Sequence, residues 1–182
     1  MGTIGKDFDY KIIKNFLAED ERLLLKEYCV IRHRLYLKDP FQYLDTIQTT
    51  WFHGDAIMDA LLVTKLKLIE KEINKKLLPC YSFWRMYTQS DVLTEHKDRP
   101  ACEISLSVRI DGDSEWPIYF DGHQADLKNG DAVVYLGAKL RHWRGELEGD
   151  HQSQVFLHYV DADGPHKDHV LDGRQALGIE LR

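Results

Sequence analysis

The sequence predicts a mainly β chain with N-terminal helices, an α+β arrangement in which two helices back a small β-sandwich or barrel. Two observations carry that reading. Apolar residues recur at helical spacing as far as Pro79, and beyond it short β-type runs alternate with turn formers. A length of 182 residues suits one domain able to bury a sizeable core. The chain then divides into a helical support region (1–79), a β core (80–160) and an irregular C-terminal tail (161–182).

Taken in order, the apolar run Tyr10–Ile13 precedes Leu17-Ala18-Glu19-Asp20-Glu21, an acidic helix start that suits the positive end of a helix dipole. Leu24, Tyr28, Ile31 and Leu35 follow as its apolar stripe, and Asp39-Pro40 ends it. A second helix is expected from about Asp55 to Lys76, with Met58, Leu62, Leu66, Ile69 and Ile73 as its stripe. Leu77-Leu78-Pro79 is expected to stop it, because proline lacks the amide hydrogen. The β-type runs are Tyr81–Thr88, Cys102–Ile110, Trp116–Phe120, Ala132–Leu136, Leu140–Arg144 and Gln154–Val160. Between them lie turn formers such as Asp111-Gly112-Asp113, Asp121-Gly122 and Asn129-Gly130-Asp131. A β layer needs its outer face covered, so one integrated domain is preferred to two joined at Pro79.

Composition excludes several classes. Hydrophobic residues at 43% and charged residues at 30% describe an ordinary globular chain, not a disordered one. The net charge of -6 disfavours a general basic surface for nucleic acid. Three widely spaced cysteines argue against a disulfide framework and for a reducing, cytoplasmic setting. No apolar run reaches spanning length, and the N-terminus lacks a signal-peptide core. Nine histidines are generous for this length, and they raise the question of a metal.

In His96-Lys97-Asp98 an imidazole and a carboxylate stand two residues apart, so on a strand both point the same way. His142, in a later β-type run, is the natural third ligand. Two His and one carboxylate on one face leave open positions on an octahedral ion, the pattern of non-haem iron(II) sites. A single His-x-Asp is more often a solvated surface pair, and the chain holds a second copy, His166-Lys167-Asp168. That copy follows Gly164-Pro165 in the loop-like tail and is set aside.

The stretch from Tyr87 through His96-Lys97-Asp98 resembles the segment of iron(II)/2-oxoglutarate-dependent oxygenases in which a tyrosine precedes the His-x-Asp motif. It is most similar to the prolyl 4-hydroxylase-like branch. Asn129-Gly130-Asp131-Ala132-Val133-Val134-Tyr135 resembles that family's approach to its distal histidine, here His142, and the region Tyr10–Phe16 is also similar. The resemblance implies a double-stranded β-helix, or jelly-roll and cupin-like, core. It implies iron(II) held by His96, Asp98 and His142, with no catalytic residue beyond these ligands. It implies 2-oxoglutarate as co-substrate, and hydroxylation of a small molecule or peptidyl side chain with release of succinate and CO2. Members that halogenate lack the carboxylate, so Asp98 favours hydroxylation.

The family commonly holds the far carboxylate of 2-oxoglutarate with an Arg or Lys on the last barrel strand. Here that region reads His151-Gln152-Ser153-Gln154 and offers neither. Arg144 shares the parity of His142 and is the expected substitute, against the plainer reading of a salt bridge to Glu146 or Glu148. Arg85 is the runner-up, and Tyr87 matches the family's co-substrate tyrosine. Arg99 and Trp116 are the candidate substrate contacts. Arg99 could equally pair with Asp98 or Glu103, and Trp84, Trp116, Trp143 and Phe156 have the core as their ordinary place. His158 reads as a hydrogen-bonded core residue and Cys102 as a small buried hydrophobe. The mouth is expected to be formed by 37–52, Asp111–Glu115 and the tail. A non-catalytic cupin-like metal-binding module is the alternative; a nucleic-acid dealkylase is disfavoured by the acidic balance.

Overall fold

The computed structural model describes residues 9–38 and 49–180. The expected helix stop at Asp39-Pro40, most of the expected mouth loop at 37–52 and the N-terminal segment before Asp9 lie outside the described residues.

Helix α1 (Glu19–Tyr36) opens on Glu19, Asp20 and Glu21, and the Glu21 carboxylate accepts the Ala18 amide at 2.8 Å. Its inward face differs from the expected one. Leu25, Cys29 and Tyr36 are buried, whereas Leu24, Ile31 and Leu35 are exposed by 55–63%. Both sets have helical spacing, and the sheet beneath selects the stripe one residue along. The expected second helix is two: α2 (Ala56–Thr64), capped by Asp55 accepting the Ile57 amide, and α3 (Leu66–Ile73). Thr64 Oγ1 donates back to the Leu61 carbonyl at 3.2 Å and competes with the helical ladder where the two meet. Of the expected stripe, Met58, Leu62, Ile69 and Ile73 are buried and Leu66 is partly buried against the same core.

The strands are β1 (Tyr10–Ile13), β2 (Thr50–His53), β3 (Leu77–Thr88), β4 (Leu93–His96), β5 (Ile104–Gly112), β6 (Ile118–Phe120), β7 (His123–Ala125), β8 (Ala132–Tyr135), β9 (His142–Arg144) and β10 (His151–Asp161). They form a six-stranded sheet in the order β1-β8-β5-β10-β3-β2 and a four-stranded sheet in the order β4-β9-β6-β7. All the pairings are antiparallel, and the two sheets make the double-stranded β-helix core. Pro79 does not stop the helix. Asn74 does, in the left-handed region at φ 52. Pro79 instead lies within β3 beside the register shift between His158 and Tyr159, where a missing amide hydrogen is tolerated. The short strands β2, β4 and β7 are additions to the sequence reading. Their three or four residues are too few to show an alternation.

Period-two alternation sorts the long strands cleanly. Trp84, Leu106, Val108, Val155 and Leu157 face outward from the large sheet and pack with Met58, Leu62, Ile69 and Ile73 from the helices. The alternate residues Ser105, Ser107, Arg109, Gln154 and His158 are also buried, on the other side. A face so rich in buried polar groups must be held by hydrogen bonds, and it marks where a polar site is built.

The tail carries a short helical segment, Lys167–Gly173, and Arg174 anchors it. Its Nη1 donates to Asp59 Oδ2 at 2.7 Å with both side chains buried, while Asp59 Oδ1 accepts from Ser82 N and Oγ. Removing one partner of a buried pair strands the other charge, so Arg174→Ala should cost about 3–5 kcal/mol in urea unfolding. A loss below about 1 kcal/mol would show that the tail is not held by this pair.

Candidate metal centre

His96 ends β4 and is the register partner of His142 on β9, with ring centroids 4.3 Å apart. Asp98 lies beyond the strand, so alternation does not place it. The turn does: its amide donates to the Gly137 carbonyl at 3.0 Å and brings the carboxylate back. Asp98 Oδ1 then stands 3.5 Å from Nε2 of both His96 and His142. The three ligand atoms lie within 4.8 Å of one another.

The protons decide what this cluster suits. His96 Nδ1 faces the Thr94 carbonyl at 2.8 Å, and His142 Nδ1 faces the Leu140 carbonyl at 3.0 Å. A carbonyl only accepts, so both Nδ1 atoms carry hydrogen, and a ring in its neutral form then turns the lone pair of Nε2 inward. Two lone pairs and a carboxylate then converge on one point, which fits a cation. Without one, a proton takes its part. Burial disfavours the charged form of Asp98, but hydrogen bonds from His142 and His96 outweigh it and hold its carboxyl well below the usual range. Asp98 in turn raises His96, against an opposing effect of burial.

The triad opens on a cavity of about 290 Å³ whose walls include Tyr81, Phe83, Arg85, Tyr87, Tyr135 and Phe156. A larger cleft of about 490 Å³ beside Lys14 and Arg109 contains no group of metal-ligating side chains among the described residues, so its size carries no weight. Arg85 lines the triad's cavity, with Cζ 4.5 Å from the Tyr87 ring centre and two nitrogens donating to Thr49 Oγ1. Arg144 is not among the lining residues. It is 2% exposed, sits 4.9 Å over the Trp116 ring, and donates to the Trp116 carbonyl and to Ser107 Oγ. It has no carboxylate partner among the described residues, Glu146 and Glu148 included, and its Nε is buried without a hydrogen bond. Burial pushes it down to about 10. Burial also raises the Tyr87 and Tyr135 phenols, which stay neutral.

The remaining candidates separate. Arg99 borders the cavity but neither Asp98 nor Glu103 holds it: its two terminal nitrogens donate to the Asp172 carboxylate at 2.5 Å. Trp116 is buried against Tyr87 and donates to the Gly145 carbonyl, away from the cavity's lining. Trp84 packs under the helices, Trp143 stacks on Tyr119 on the outer side of its sheet, and Phe156 alone of those four aromatics lines the cavity. His158 is a buried, hydrogen-bonded residue as expected, and burial pushes it down to about 4. Cys102 is buried, hydrogen-bonded to Tyr81 and free, like Cys29 and Cys80. In the second His-x-Asp copy Asp168 is exposed in the tail, and that copy is in no group of metal-ligating side chains among the described residues. Sequence reasoning missed Tyr135, whose ring lies 4.9 Å from that of His142, and His53, stacked on Tyr81 at 4.2 Å. Tyr135 closes a run already singled out. His53 sits on a strand too short to read.

No helix among the described residues is long and apolar enough to cross a membrane. No protein-family model matches the chain, and no curated protein matches it. Solved structures do. A viral collagen prolyl hydroxylase from Paramecium Bursaria Chlorella virus-1, in complex with 2-oxoglutarate, is 12% identical with a TM-score of 0.61, over 82% of this chain and 94% of that one. A prolyl-4-hydroxylase from Pseudomonas putida is 17% identical with a TM-score of 0.59, over 82% of this chain and 91% of that one. HygX from Streptomyces hygroscopicus, with nickel and 2-oxoglutarate bound, is 11% identical with a TM-score of 0.65, over 85% and 83%. The chain therefore has the fold shared by these iron(II)/2-oxoglutarate oxygenase structures, with a His-Asp-His group of facial-triad type set in it.

Proposed function

We propose that this chain is an iron(II)- and 2-oxoglutarate-dependent dioxygenase of hydroxylase type. The observation that carries the reading is the convergence of His96 Nε2, His142 Nε2 and Asp98 Oδ1, with both Nδ1 atoms tied to carbonyls. These residues would hold the iron, and the carbonyls fix the tautomer that ligation needs. Arg144 would bind the far carboxylate of 2-oxoglutarate. A buried guanidinium with no acidic partner and an unpaired Nε is supported there by a ligand anion, and Tyr87 closes that end. Arg85 lines the cavity and is the second cation available to the co-substrate. When bound, iron and 2-oxoglutarate together supply activation of O2, with decarboxylation of 2-oxoglutarate to succinate and CO2. Tyr81, Phe83 and Phe156 exclude water from the cavity, which at about 290 Å³ is at the small end of ordinary ligand sites.

The substrate is a small molecule or a peptidyl side chain, as in the similar structures: a collagen prolyl hydroxylase on one side, and an epimerase from nogalamycin biosynthesis on the other. The free, buried cysteines support a cytoplasmic, reducing setting. The test is an anaerobic titration with iron(II) and 2-oxoglutarate, followed by succinate release in air. The expected result is a weak visible charge-transfer band from the chelate and slow uncoupled succinate formation. No band at saturating iron would overturn the oxygenase reading in favour of a structural cupin-like module.

A further inference from the structure

The two oxygens of Asp98 do different work. Oδ1 faces both Nε2 atoms at 3.5 Å. Oδ2 turns the other way and accepts from Ser105 Oγ at 3.1 Å. That hydroxyl also lies 2.8 Å from His158 Nδ1 and 3.1 Å from the Cys102 carbonyl. A serine hydroxyl has one hydrogen to give and lone pairs to receive. If it gave its hydrogen to His158, the Asp98 carboxylate would face a bare oxygen in a buried site. The Cys102 carbonyl, at the same 3.1 Å, competes for that one hydrogen, but it is neutral, and the charged carboxylate is the stronger acceptor. The favourable direction is therefore His158 Nδ1–H to Ser105 Oγ, and Ser105 O–H onward to Asp98 Oδ2.

Gly137 closes the other side. Its carbonyl takes the Asp98 amide at 3.0 Å. A Cβ on Gly137 would stand 2.5 Å from the Cys102 carbonyl and 2.7 Å from Ser105 Oγ, and it would overlap Asp98 Oδ2. Its φ is not left-handed, so glycine is required for space and not for conformation. The carboxylate is thus gripped from behind at Oδ2 by Ser105, at its amide by Gly137, and has no room to rotate toward either.

We propose that Ser105, backed by His158, is a positioning residue that holds Asp98 Oδ2 away from the metal site, so that the carboxylate offers Oδ1 alone. The inference rests on His96, Asp98 and His142 being the metal ligands. Its consequence is chemical: a carboxylate that offered both oxygens would take a position needed by 2-oxoglutarate or O2. The parity of Ser105 with Ser107 and Arg109 on β5 puts it on the polar inner face for this purpose.

The test uses the full chain and cobalt(II), which reports coordination number through its visible d–d bands and needs no turnover. Ser105→Ala should bind cobalt(II) about 10–100-fold more weakly than wild type, with altered d–d intensity and a metal-free melting temperature close to wild type. His158→Gln keeps a donor toward Ser105 and should stay near wild type, whereas His158→Leu should behave like Ser105→Ala. The His158 pair carries the test should Ser105→Ala fail to fold. Wild-type affinity and spectrum in Ser105→Ala, or equal behaviour of His158→Gln and His158→Leu, would overturn the proposal. If wild type binds no cobalt(II), the metal reading itself fails and takes this one with it.

Discussion

Replacing His142 with alanine should abolish the stabilisation that iron(II) or manganese(II) is expected to give the wild-type protein. A ligand present at about 100 times its dissociation constant adds about 2.7 kcal/mol to the native state. Loss of a ligand weakens binding by at least about a hundredfold, more than loss of a supporting group does. At that metal concentration almost all the added stability disappears, together with the charge-transfer band. A His142→Ala protein that kept the wild-type metal-induced shift in melting temperature would remove His142 from the site.

The same centre has a definite pH signature. Metal must displace the proton that His96 shares with Asp98, and the His96 pKa is raised. Metal affinity therefore climbs as pH rises through a value above the ordinary 6.5 of histidine. Metal-free stability has the opposite sign on that limb. The raised His96 contributes stability that is full below its unfolded pKa and is lost as pH rises through its folded value. Asp98, held low, contributes stability present above its unfolded pKa and lost as pH falls through its folded value.

Replacing Arg144 with methionine should separate stability from co-substrate binding. Wild type carries a buried guanidinium without an acidic partner among the described residues, pushed down to about 10 by burial. An apolar side chain of similar length removes that desolvation penalty, so the melting temperature without 2-oxoglutarate should stay level or rise. Affinity for 2-oxoglutarate should fall by a factor of about 10² to 4 × 10³, because a buried carboxylate that loses its cation forfeits about 3–5 kcal/mol. Isothermal titration with manganese(II) present measures it. Arg85→Met, removing the cation that lines the cavity beside Tyr87, should have the smaller effect. The reverse ranking would move the anchor to Arg85. A large fall in melting temperature for Arg144→Met would make Arg144 a structural brace for the Trp116 carbonyl and Ser107 instead.

Much of this site is legible in the chain, for reasons that differ by residue. Alternation reads well on the long strand β3, where Arg85 and Tyr87 lie on the inner face; His142 and Arg144 are both buried on β9, which has only three residues. Asp98 was paired with His96 by the right spacing, but by a strand parity that does not hold it. A turn fastened to Gly137 does. Arg99 was legible only as a charge. Its partner is Asp172, 73 residues away in the tail, and no local pattern pairs them. Helix α1 shows the limit most plainly. Its exposed Leu24, Ile31 and Leu35 have the same spacing as a buried stripe, and only the sheet decides which side is inside.

By itself the sequence determined the class of fold, the residue types that converge and the order in which they occur. Periodicity and turn chemistry are local properties, and they survive in one dimension. What only the tertiary structure decided is which atoms meet. It paired His96 with His142 across two short strands and buried Arg144 without an acid. It also set Ser105 and His158 behind the Asp98 carboxylate. Those contacts depend on strand register between sheets and on burial, and both arise when distant segments pack together.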